Sequence, residues 1–117
     1  MKFPTKDLLK KIVNLLEQHK AEDIVVLDLS ELSYVTDFFV ICTGRSETHL
    51  EALAEELEFG LKREGIMVWG VEGRKGGRWI LLDYGDIVVH IFTPEGRLFF
   101  DLERIWNQAR KVEPHSL

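Results

Sequence analysis

Where the apolar run "FFVICTG" ends at Gly44, a helical apolar spacing begins at once, with Arg45 and Ser46 between them. A helix start of this kind presents free backbone N–H groups, which attract anions. Arg45 and Ser46 would add a charge and a hydroxyl, so Gly44, Arg45 and Ser46 form a candidate anion-binding turn. The segment is neither a Walker loop nor a G-x-G-x-x-G fingerprint, and a routine strand-to-helix turn capped by Ser46 is the simpler reading. Cys42 paired with His49 or His90 would make a nucleophile and its base, but a cysteine inside an apolar strand is usually inert packing. Metal-assisted phosphoryl or nucleotidyl transfer needs clustered carboxylates. The strand after the helix offers only Glu72, and Asp83 and Asp86 stand three apart across a turn rather than two apart on one strand face. His19, His49, His90 and His115 are scattered, with no metal-ligand spacing. From these residues we expect no catalytic group, no metal site and no cofactor, hence no enzyme.

The other residues worth weighing lie in "RWILLDYGDIVVHIF", Arg78 to Phe92. Two apolar strands fold around Asp83-Tyr84-Gly85-Asp86, where an Asp can bond nearby backbone and Gly can take positive φ. Ile87, Val89 and Ile91 alternate with Val88, His90 and Phe92. Both faces are apolar, as expected of an interior strand covered on both sides. His90 then reads as a core histidine. Trp79 and Tyr84 each combine an apolar body with a polar tip, which suits core edges and protein interfaces alike.

The elements that must position these residues follow from periodicity. A helix is predicted over about 5–19, with Thr5 as N-cap and Leu8, Leu9, Ile12, Val13, Leu15 and Leu16 on its apolar face. A strand from Ile24 to Leu29 and a second ending at Gly44 follow. The next helix places Leu50, Leu53, Ala54, Leu57 and Leu61 on one face and stops at Gly65. "IMVWGVE" is predicted as a third strand and the hairpin supplies two more. Beyond it we expect a turn at Pro94 to Gly96, an extended piece at Leu98 to Phe100, a helix capped by Asp101, and a flexible tail from about 112 to 117. The 117 residues make one α/β domain, a mixed sheet of about five strands flanked by helices.

Totals narrow the function. One cysteine cannot form an internal disulfide, and the first residues lack the apolar region of a signal peptide. No apolar run approaches the roughly 20 residues of a membrane span. A cytoplasmic protein without a membrane partner is expected. The net charge of −5 disfavours bare nucleic acid as main partner; local contact with RNA through Arg74, Lys75 and Arg78 stays open. Acidity suits a basic protein partner, and Glu47, Glu51, Glu55 and Glu58 form a stripe on the second helix that is either a solvated face or a docking strip.

"TDFFVICTGRSETHLEALAEEL", "RWILLDYGDIVVHIF" and "GRLFFDLERIW", in this order, closely resemble the ribosomal silencing factor family, also called iojap-like. The likeness runs from about Asp23 to Trp106. It implies a non-enzymatic factor that binds the large ribosomal subunit at its ribosomal protein fourteen and blocks joining of the small subunit, lowering translation; organellar relatives assist large-subunit assembly. It also implies an α/β sandwich distantly similar to nucleotidyltransferases but without their catalytic acids. Carried over by motif, Trp79, Ile80, Leu82, Asp83, Tyr84, Gly85 and Asp86 become candidates for the partner surface or its support, with His90, Arg97, Phe100 and Trp106 at later marked positions. Phe38 and Phe100 stand where relatives often carry Tyr. Two other readings remain: a nucleotide or anion binder using Gly44 to Ser46, and a self-associating module that pairs two copies and is compatible with ribosome binding.

Overall fold

In the computed structural model, which describes residues 4–73 and 77–117, helix α1 (Thr5–Gln18) precedes strands β1 (Glu22–Asp28) and β2 (Phe38–Thr43). Then come α2 (Glu47–Lys62), β3 (Gly70–Glu72), β4 (Trp79–Asp83) and β5 (Ile87–Phe92). Short helices α3 (Pro94–Phe100) and α4 (Leu102–Ile105), strand β6 (Arg110–Val112) and a 3-10 turn at Pro114–Ser116 complete the chain. The basic residues Arg74 and Lys75 lie outside the described residues.

Six strands form one mixed sheet in the order β3-β4-β5-β2-β1-β6. Among the described strands only β2 and β5, at its centre, are parallel, with Phe38 opposite Ile87 and Thr43 opposite Phe92. The three-residue strands β3 and β6 lie at the two edges, and short edge strands limit unwanted pairing. One sheet face is closed by α1 and α2. Leu9, Ile12 and Leu16 of the first helix and Leu50, Leu53, Leu57 and Leu61 of the second pack on Val40, Cys42, Ile80, Leu82, Val89 and Ile91. Both stripes are those expected from periodicity.

The opposite face is built differently. Phe92, Ile41, Leu27 and Leu29 are buried there with Leu102, while Trp79, Phe39, Phe100 and Trp106 pack around them partly exposed. Among the described residues no long helix covers this side; α3 and α4 do so in part.

Five expectations are revised. The region Pro94 to Phe100 is a helix rather than a turn and an extended piece: Thr93 caps it by accepting from Gly96 N–H at 3.1 Å, with Pro94 in its first turn, both ordinary helix-start signals. Asp101 does lie at the boundary of α4, but in the left-handed conformation (φ 48°) and without a side-chain capping bond. Residues 66–69 are not strand; Trp69 N–H bonds the Asp83 carbonyl at 2.7 Å, and the ladder proper begins at Gly70. Arg110–Val112 form a strand, β6, where Val112 pairs with Val26, giving six strands rather than five. Thr5 is the first residue of α1 rather than its cap, and its hydroxyl instead donates to Asp86 at 3.1 Å.

Candidate functional site

The hairpin residues singled out in sequence separate into two groups. Trp79 opens β4 and Asp83 ends it, about 13 Å apart at the usual strand rise. Trp79 belongs to the face partly covered by α3 and α4, whereas Tyr84 belongs to the core under α1 and α2. One continuous patch containing both side chains is therefore not formed.

At the first group the indole of Trp79 packs on Phe100 (4.7 Å between ring centroids) and Phe92 (5.0 Å). Its Nε1 donates to Nδ1 of His90 at 3.1 Å. The acceptor role of Nδ1 places the proton of neutral His90 on Nε2, and that nitrogen is buried without a hydrogen-bond partner. Phe39 meets the imidazole edge-on at 4.4 Å. His90 is 2% exposed, and burial holds its pKa down at about 4. It is a core histidine, satisfied on one nitrogen only. Beside it, Leu81 and Asp83 of β4 and Val88 of β5 are half-buried on the same sheet face.

The second group is the turn. Asp83 Oδ1 accepts from Gly85 N–H at 2.8 Å, and Gly85 has φ +86°, as the sequence led us to expect. Ile80 and Leu82 are fully buried against the helices, so they support a surface rather than form one. Tyr84 is 6% exposed, and its hydroxyl has no hydrogen-bond partner. Burial, and next the nearby charge of Glu58, push that phenol above its ordinary pKa. An unmet buried hydroxyl carries a desolvation cost. Tyr84→Phe is therefore expected to raise stability by about 1 kcal/mol, read as a higher melting temperature; a lower one would show that the hydroxyl has a partner.

Arg97, also carried over as a surface candidate, is a strut. Its Nη1 donates to the Asp23 carbonyl (2.7 Å) and to Thr43 Oγ1 (2.9 Å), and its Nε to Glu103 (2.8 Å). It ties α3 to the ends of β1 and β2 and to α4, with its side chain 14% exposed. Arg97→Met should cost about 2 kcal/mol of stability, the scale for charged hydrogen bonds, and an unchanged denaturation midpoint would contradict this role. Phe100 is half-buried against Trp79 and Phe92.

The Gly44–Ser46 turn has a structural explanation. A Cβ at Gly44 would stand 3.0 Å from the Leu50 side chain and 3.3 Å from its backbone nitrogen, so glycine lets α2 approach β2 closely. Ser46 caps α2 by accepting from His49 N–H (3.1 Å), and Arg45 N–H donates to His49 Nδ1 (2.9 Å). Two of the donors an anion would use are thus engaged. Cys42 is fully buried, burial raises its pKa to about 12, and it faces the core away from His90. Among the described residues no group of three or more His, Cys, Asp or Glu is placed to hold a metal ion, and no helix is long and apolar enough to cross a membrane.

Sequence reasoning passed over Trp69, Met67 and Phe59, exposed by 78%, 58% and 59% near one end of the sheet. Alternation in "IMVW" carried the signal: Ile66 and Val68 pack on the core, while Met67 and Trp69 point outward.

Comparison with known proteins places this architecture. A family model described as "Ribosomal silencing factor during starvation" matches residues 2–117. The chain is 40% identical over 107 residues to the ribosomal silencing factor RsfS of Halalkalibacterium halodurans, covering 92% of each chain. It is 34% identical over 98 residues to the mouse protein "Mitochondrial assembly of ribosomal large subunit protein 1", covering 81% of this chain and 43% of that one. A crystal structure of a Chromobacterium violaceum protein superposes with a TM-score of 0.87 at 33% identity, covering 95% of this chain and 92% of the other.

Proposed function

This chain belongs to the ribosomal silencing factor family, and on that premise we propose that it binds the large ribosomal subunit and lowers translation. The observation that carries the proposal is the family match from residue 2 to residue 117, which takes in every described element of the fold. In finer detail, the chain docks on ribosomal protein fourteen at the face that meets the small subunit, and its bulk there prevents joining. It acts in the cytoplasm by occupancy, without catalysis, cofactor or metal.

The incompletely covered sheet face supplies the contact. Trp79 and Phe100 present partly exposed rings there, and Leu81, Asp83 and Val88 continue the face. Half-buried aromatics held rigidly by packing suit an interface, because little side-chain freedom remains to be lost on binding. Ile80 and Leu82 back this surface from the core. A formal charge of −5 favours encounter with a basic ribosomal protein and makes any contact with ribosomal RNA, through Arg78 for instance, a minor one. Self-association remains compatible with this role.

Subunit joining tests the blocking step. Separated subunits mixed under joining conditions should give a smaller joined-ribosome peak on a sucrose gradient when the protein is added first. An undiminished peak at saturating protein would contradict it.

A further inference from the structure

Trp69 is 78% exposed, yet its position is fixed. Its backbone N–H holds the Asp83 carbonyl, and its ring lies on Gly85, where a Cβ would come within 2.8 Å of Cζ2. The ring borders a groove of about 870 Å³ between the start of α1, the Gly65–Trp69 loop and the Tyr84–Asp86 turn. Leu8, Ile66 and Met67 line it, and Tyr84 packs beneath it in the core. A second hollow of about 260 Å³ shares Ile66 and Met67 and reaches Phe59 on α2. The two together make an apolar trough, of a size usual for ligand sites.

Its rim is acidic. Among the described residues lining the two hollows, four carboxylates (Glu55, Glu58, Glu64 and Asp86) face one lysine, Lys62. Glu64 also meets Lys11 at 2.6 Å and Asp86 accepts from Thr5, but a carboxylate has lone pairs for further donors. The outer part of the second-helix acidic stripe thus runs into exposed apolar side chains. Such a rim repels phosphate-bearing partners and attracts cations. An indole face beside carboxylates suits an ammonium or, better, a guanidinium.

We propose that this trough docks a segment of a partner protein in which Lys or Arg flanks a large apolar side chain. The apolar group packs against Trp69, Met67 and Leu8, and the cation meets Glu58, Glu64 or Asp86. This surface lies near the other end of β4 from Trp79, on the helix-covered side of the sheet, so it is a second contact in addition to the proposed ribosome-facing one. It does not depend on that reading.

The test uses the full chain, isotope-labelled, titrated with three nonapeptides: alternating Lys and Leu, alternating Glu and Leu, and alternating Lys and Ser. The Lys/Leu peptide should shift amide resonances of Leu8, Ile66 to Trp69 and Gly85 to Asp86, with affinity about tenfold or more above either control. Trp69→Ala and Met67→Glu, both at exposed positions, should each lower that affinity about tenfold or more while leaving the melting temperature unchanged. Shifts located elsewhere, no shift at all, an equal response to either control peptide, or unchanged affinity in both variants would overturn the proposal. Failure of the wild-type chain to bind ribosomes would leave these outcomes as they stand and count only against the proposed function.

Discussion

Trp79→Ala is expected to lower the free energy of unfolding by about 4 kcal/mol, the scale for truncating a large packed aromatic. A residue that served the partner surface alone would give a milder result, weakened binding in an intact domain. Geometry argues otherwise, because the ring contacts Phe92, Phe100 and His90 and is the hydrogen-bond partner of His90 Nδ1. Removing it opens a void beside Phe92 and leaves both nitrogens of a buried imidazole without partners. Trp79→Phe retains part of the packing and loses the hydrogen bond, so it should fall between wild type and Trp79→Ala. Urea denaturation followed by far-UV circular dichroism measures all three. A midpoint unchanged in Trp79→Ala would contradict this supporting role and leave the residue a surface contact alone. The same argument applies to Tyr84→Ala: with Tyr84 only 6% exposed, binding lost in that variant would report a disturbed core.

Acid should destabilise the domain through His90. Its pKa is about 4 in the folded state against 6.5 for an unburied imidazole. Between these values the unfolded chain holds a proton that the folded chain excludes. Stability from this group is therefore complete above pH 6.5, declines as pH falls through the window, and is lost by about pH 4. The full loss is about 3 kcal/mol. Burial causes the shift, so high salt should alter it little. His90→Gln removes the titration while keeping an oxygen able to accept from Trp79 Nε1. Thermal melts between pH 7.5 and 4 should show a shallower decline in the variant, and parallel declines would place the acid sensitivity elsewhere.

Helices α1 and α2 were legible because each writes its buried stripe at 3.6-residue spacing, and β5 because its two apolar faces mark an interior strand. The Asp83-to-Asp86 turn was legible because Asp and Gly chemistry is local: one side-chain acceptor and one positive φ suffice. What escaped the pattern was set by tertiary contact. β6 carries little apolar signal and is held by backbone pairing to β1. The α3 start, Thr93-Pro94, was readable as a cap but is overlaid by Gly96, which reads as a turn. The division of the hairpin residues into two surfaces could not be seen either. Alternation along β4 shows that neighbours face opposite ways, but not which face the long helices take. Arg97 is a similar case: its partners Asp23 and Thr43 lie 74 and 54 positions away in sequence.

The central claim is that this chain binds the large ribosomal subunit. Its most direct measurement is co-sedimentation of the purified protein with isolated large subunits and, separately, isolated small subunits, over a series of salt concentrations. The account predicts co-migration with the large subunit alone, saturating near one copy per subunit and weakening as salt rises. Failure to co-migrate with large subunits even at low salt, or equal co-migration with both, would contradict it.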